Sequence, residues 1–172
     1  QERRARLAVR HALHPDARAA NPVEATRAVA VLHATEPATV YLSCWARVPG
    51  VTTFDIDRAL SVDRSIVKQL AMRRTLFVFP RDLLASVWPS ASARVAGTEL
   101  ARLAKDVVRT DLADDGHAWL DAAGAAVLAA LSDAPEGLTA AEVRHAVPQV
   151  DVKLDGAGGI TGAAPRLLTL LG

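Results

Sequence analysis

RSIVKQLAMRRTLFVFPR, the stretch from Arg64 to Arg81, decides how this chain is read. It carries Arg64, Lys68, Arg73, Arg74 and Arg81 and no acidic residue. Its apolar residues predict two short strands, Ile66–Met72 and Thr75–Phe79, joined at Arg73–Arg74. A cationic hairpin that follows short helices is a form that proteins lay along a phosphate backbone. The same charges would also keep an edge hairpin soluble, and charge alone does not separate the two.

Working upstream, the chain is punctuated into short helices. Asn21-Pro22 opens one: Asn caps, Pro suits the first turn, and Glu24 stands where a capping partner would. It is expected to run to about Leu32–Thr35, with Ala25, Ala28, Val29 and Leu32 inward. A second helix, Pro37 to Arg47, is stopped by Pro49-Gly50. Thr52 or Thr53 caps a third, Phe54 to Leu60. Three short helices followed by a hairpin is the winged-helix order, with the hairpin as wing and Phe54–Leu60 as the formal recognition helix. That helix displays Asp55 and Asp57 beside Arg58, and carboxylates facing phosphates are repelled. The wing and the basic opening residues Arg3, Arg4, Arg6 and Arg10 are therefore the expected DNA contacts, which counts against a simple transcription factor.

Downstream, Arg81–Trp88 is expected as a short helix ended by Pro89. A longer one follows at Ala91–Leu112, with Val95, Leu100, Leu103, Val107 and Val108 spaced for one buried face. Asp114-Asp115-Gly116 breaks the chain before a helix at His117–Leu131. Thr139 and Glu142 form a capping box that starts the next helix, which ends near Pro148. Gly156, Gly158, Gly159 and Gly162 mark a flexible connector and lack the phosphate-loop pattern and its Lys. Ala163–Leu171 is a last helical segment. The fold class is thus mainly α with small β-hairpin wings, in tandem winged-helix (helix-turn-helix) order. Residues 1–20 form an arm or helix, 21–89 a first module, 90–113 a connecting helix, and 114–172 a second module expected to stop before its wing.

Composition sets outer limits. With 172 residues, 51% of them hydrophobic, the chain has ample material for a packed interior. A net charge of +1 excludes a generally basic nucleic-acid coat, so any DNA face must come from local segregation of charge. No apolar run is long enough to span a bilayer, so no membrane partner is expected. The lone Cys44 fits a reducing cytoplasm and a small core residue. His11 and His14 lie three apart, His117 and His145 are solitary, and no metal-ligand pattern accompanies them.

Two segments carry a resemblance: LHATEPATVYL (Leu32–Leu42) and MRRTLFV (Met72–Val78). Together they resemble the winged-helix proteins of the alkylpurine and crosslink DNA glycosylase superfamily. Those have an L-Q-A-Q or L-Q-x-D motif at the end of a helix and a wing of the form M-R-G-T-L-H. Met72, Arg73, Thr75 and Leu76 match the wing, while Arg74 takes the Gly position and Phe77 the His position. His33 and Thr35 stand at the two polar positions of the first motif, both changed. The resemblance spans essentially the whole chain but about the first half of such a protein, so a C-terminal half of the same protein is an expected partner.

The resemblance implies a bacterial, cytoplasmic DNA-repair hydrolase acting on double-stranded DNA. It would be a monofunctional glycosylase that breaks the N-glycosidic bond of alkylated or crosslinked bases, with no cofactor and no metal. Such an enzyme must hold a water against C1′ and stabilise an oxocarbenium-like charge. His33 would accept the water's proton, Thr35 would orient the water, and Glu36 would oppose the positive charge. Arg64, Lys68, Arg73, Arg74, Thr75 and Arg81 would contact DNA. The catalytic candidates also have plain structural roles: Thr35 as cap of the second helix, His33 at a helix C-terminus and Glu36 as a complement to the next helix's N-terminus. Tyr41 and Trp45, four apart, are read as core packing rather than a base-stacking platform. Two alternatives stay open, a non-enzymatic winged-helix DNA-binding regulator and a protein-interaction module.

Overall fold

The computed structural model describes residues 1–156 and 159–172. The chain divides into two units, Gln1–Val95 and Ala96–Gly172. The basic opening residues form helix α1 (Glu2–Arg10), none of whose side chains is buried.

In the first unit, Asn21 caps α2 (Pro22–Ala28) by accepting from the Glu24 amide at 2.9 Å, and the Glu24 carboxylate accepts from the Ala20 amide at 2.9 Å. The helix does not reach Thr35. Ala30 turns into the left-handed region at φ 68°, and Leu32–His33 becomes a strand, β1. Pairing with a strand from far along the chain overrides the helical spacing, because it satisfies the backbone groups of residues 32–34.

Helix α3 (Pro37–Trp45) is capped by Glu36, not Thr35, and without a side-chain hydrogen bond. Pro37 occupies the first turn and holds the residue before it extended, at φ −98° and ψ 113°. Thr52 and Asp55 make a capping box for α4 (Thr53–Asp57), which widens into a π turn at Arg58–Val62. The hairpin follows as β2 (Ile66–Leu70) and β3 (Leu76–Pro80), antiparallel, with β1 on the far side of β3 in the order β1-β3-β2. Its core joins Leu32, Val40, Cys44, Ile56, Ile66 and Val78. Burial pushes the Cys44 thiol up to about 11, which leaves it unreactive. Tyr41 packs on this core, but Trp45, expected inside, is 72% exposed.

Pro89 does not end a helix. A 3-10 turn (Arg81–Leu83), α5 (Leu84–Val87) and a second π turn (Trp88–Ser92) run on into α6 (Ala93–Arg109). Pro89 falls in the first turn of the π segment, where a missing N–H is tolerated.

The second unit adds α7 (Gly116–Ser132), α8 (Ala140–Ala146), β4 (Lys153–Gly156), β5 (Gly159–Gly162) and α9 (Ala163–Leu171). Asp115 caps α7, and Thr139 and Glu142 form the capping box read from their spacing. The core includes Leu103, Val107, Leu120, Val127, Val143 and Leu167, while Val108 is exposed. The glycine-rich stretch is an antiparallel hairpin rather than a connector. Of the expected connector, Ala157 and Gly158 lie outside the described residues.

The hairpin is tied to α6 beside a buried carboxylate, and the Arg109 guanidinium donates to the Asp155 carbonyl at 3.4 Å. Asp106, 4% exposed, pairs with Arg166 at 2.7 Å and Arg109 at 3.2 Å. Next to it the Thr110 hydroxyl donates to the Asp106 carbonyl at 2.7 Å and accepts from the Asp155 amide at 2.9 Å. A Cβ on Gly156 would come within 2.9 Å of the Asp106 carboxylate, so the hairpin approaches this closely only with glycine there.

Candidate nucleic-acid interface and active site

The segments LHAT and MRRTLFV, forty residues apart in sequence, lie side by side. Leu32 pairs with Val78 and His33 with Phe77, and the Ala34 amide donates to the Leu76 carbonyl at 2.9 Å. Leu32 and Ala34 are buried, while His33 and Thr35 are exposed. His33 is the last residue of β1, and Thr35 lies two residues on, in the bend before α3, so both are exposed in the short link between β1 and α3. The His33 ring stands edge-on to Phe77 at 5.7 Å and 81°, and Phe77 meets Phe79 at 6.2 Å. Glu36 follows at the start of α3 with its carboxylate exposed and unused by the cap.

The six expected DNA contacts fall in three places. Arg73 and Arg74 form the hairpin tip, both left-handed, at φ 57° and 59°. The Thr75 amide closes the turn on the Met72 carbonyl at 3.1 Å. Two successive left-handed residues suit a type I′ turn, a place usually taken by Asn or Gly. Thr75 is half-buried at the start of the return strand. Arg64 and Lys68 lie elsewhere, in a cleft of about 370 Å³ between α3, the first π turn and β2. Arg81 sits at the base of the hairpin, its amide bonded to the Ser65 carbonyl at 3.0 Å.

The carboxylates of the formal recognition helix are occupied. Asp55 accepts from the Thr52 amide at 2.9 Å and its hydroxyl at 2.7 Å, which holds its pKa below the ordinary value. Asp57 accepts from the Tyr41 hydroxyl, and that bond raises the phenol pKa. Arg58 pairs with Asp63 at 3.3 Å. This partnership of Tyr41 and Asp57 was not legible in the sequence, since the two lie on different helices. Phe77 was legible only as a strand residue. Among the described residues no three His, Cys, Asp or Glu side chains cluster as a metal site would need, and no helix is long and apolar enough to cross a membrane.

A family model described as DNA glycosylase AlkZ-like matches residues 26–171. The chain belongs to the AlkZ-like DNA glycosylase family. Membership gives it a DNA-repair, glycosylase-like character with DNA as partner, and the matched range contains β1, both hairpins and the helices between them. No curated protein and no solved structure matches the chain.

Proposed function

We propose that this AlkZ-like chain hydrolyses the N-glycosidic bond of alkylated or crosslinked bases in duplex DNA, from a winged-helix first unit. One observation carries the reading: β1, with His33, pairs directly with the hairpin strand that returns from Arg73 and Arg74. A group able to take a water's proton thus stands on the strand next to one that leads to a phosphate grip. The helix–strand–helix–helix–strand–strand order with sheet order β1-β3-β2 supports the winged-helix part. The tandem arrangement, with modules at 21–89 and 114–172 joined through 90–113, belongs to the same reading, as does a C-terminal half beyond this chain.

In this mechanism a damaged base leaves with the glycosidic electron pair, and water adds to C1′. Neutral His33 accepts the water's proton through a ring nitrogen. Thr35, exposed in the bend two residues on, orients that water through its hydroxyl. The exposed Glu36 carboxylate opposes the positive charge that builds on the sugar. Arg73 and Arg74, with Thr75, hold phosphates beside the lesion, and Arg64, Lys68 and Arg81 hold the backbone further along.

Single-turnover base release from duplexes carrying an alkylated purine or a nitrogen-mustard crosslink tests this. His33→Ala is expected to lower the release rate about 100-fold, the scale of a lost general base, at unchanged DNA affinity. Duplex binding without release by the parent protein would leave a non-enzymatic winged-helix binder, with His33 as a packing partner of Phe77.

A further inference from the structure

We propose that the cleft between α3, the first π turn and β2 is a built seat for one phosphodiester of the DNA strand. This rests on the reading that the first unit binds DNA, and it names a contact separate from the hairpin tip. The cleft is lined by Tyr41, Asp57, Leu60, Ser61, Arg64 and Lys68.

Two backbone irregularities shape it. The α4 helix loosens into the π turn Arg58–Val62, which carries Leu60 and Ser61 into the wall. The chain then turns at Arg64, which adopts φ 48° without being glycine. Left-handed backbone at a β-carbon-bearing residue is disfavoured, and such conformations gather at functional sites. Among the described residues, Arg64, Arg73 and Arg74 make up half of the six non-glycine residues with positive φ, and all three are cations of the one basic stretch. Strain is being kept where positive charge is displayed.

Charge selects the occupant. Arg64 and Lys68 form no ion pair among the described residues, whereas Arg58 beside them is held by Asp63. Asp57 offsets one of the two cations, so the cleft carries a net charge of one positive unit. That matches the single negative charge of a phosphodiester better than a dianionic phosphate. The Tyr41 hydroxyl is committed to Asp57, which leaves the Ser61 hydroxyl, the guanidinium and the ammonium as donors toward a phosphate. The Tyr41 ring and Leu60 provide apolar surface of the kind that covers a deoxyribose.

The test measures binding of the full chain to a labelled duplex bearing one methylphosphonate at a time, with the parent protein and with Arg64→Gly and Lys68→Met. One position is expected to weaken binding of the parent and to have no effect on either variant. Each variant is expected to lower the slope of log K against log salt by about 0.9, the value for one phosphate. Arg64→Gly also relieves the left-handed strain, so its melting midpoint is expected to stay level or rise, which separates lost contact from lost fold. Asp57→Asn removes the offsetting charge and is expected to tighten binding several-fold. If every methylphosphonate weakens the variants as it weakens the parent, while Arg73→Gly still loses salt slope, the seat is overturned and the DNA reading stands. If the parent shows no salt-dependent duplex binding, both fall together.

Discussion

His33 and Phe77 face each other across β1 and β3, their rings edge to face at 5.7 Å. They occupy two of the positions at which this chain departs from the superfamily motifs it resembles, a Gln in the first and a His in the second. The structure brings the two positions into contact, the imidazole standing edge-on to the benzene ring. Phe77→Leu keeps apolar bulk and removes the ring contacts of Phe77 with His33 and with Phe79. It is expected to lower unfolding free energy by about 1 kcal/mol, the worth of such a pair beyond its area. Urea unfolding checks this, and an unchanged midpoint would mean that the ring contacts contribute nothing.

The hairpin tip sets stability against binding. Arg73 at φ 57° and ψ 29° is held in a conformation that glycine adopts freely. Arg73→Gly is expected to stabilise the fold by about 1 kcal/mol through relief of left-handed strain. It should also reduce the salt slope of duplex binding by about 0.9 if the tip grips one phosphate. Calorimetry and a salt titration on the same variant give both numbers. A variant that loses stability would show that the Arg73 side chain holds the turn.

The chain has one tyrosine, so phenol absorbance reports Tyr41 alone. Its hydrogen bond to Asp57, helped by partial burial and the nearby carboxylate charge, raises its pKa above the ordinary value. The raised value favours the protonated phenol in the folded state. Its contribution to stability is full below the unfolded-state pKa of about 10 and is lost as pH rises through the higher folded value. Asp57→Asn is expected to bring the titration back toward the ordinary range. A midpoint that does not move would show that the bond in the cleft is not made in solution.

The capping boxes, the cationic hairpin and the helical character of both units were legible because each rests on residues close in sequence. Asn21 with Glu24 and Thr139 with Glu142 needed only three-residue spacing. Asp55, read as a carboxylate facing phosphates, is instead the capping partner of Thr52. The end of α2 was not legible, since what stops that helix is a strand about forty-five residues later, whose Val78 and Phe77 pair with Leu32 and His33. That pairing also changes what Thr35 can be. It was expected to cap α3, but with Glu36 in that place its hydroxyl is not used by the helix. The glycine-rich hairpin escaped for the same reason: Thr110 and Arg109, which bond it, lie 45 and 46 residues upstream of Asp155. Neither the Tyr41–Asp57 bond nor the cleft around it has a local signature, because helices α3 and α4 and strand β2 each contribute a wall.

Asp106 is a buried charged side chain of the second unit with two arginine partners. Its carboxylate is buried and shared by Arg166 and Arg109, while its own carbonyl takes the Thr110 hydroxyl that in turn receives the Asp155 amide. Asp106→Asn keeps the volume but removes the charge that both guanidinium groups were placed to meet. The cost is expected to be on the order of 2 kcal/mol, the range for hydrogen bonds to charged groups, moderated by the partial exposure of both arginines. Hydrogen exchange gives a local readout: the Asp155 amide should lose protection in the variant, while Ala34 in the first unit keeps its own. Gly156→Ala tests the same clasp from the hairpin side, because its Cβ would come within 2.9 Å of the carboxylate. Equal protection of Asp155 in both variants and the parent would mean that the hairpin is held by its own strand pairing and not by the acid beneath it.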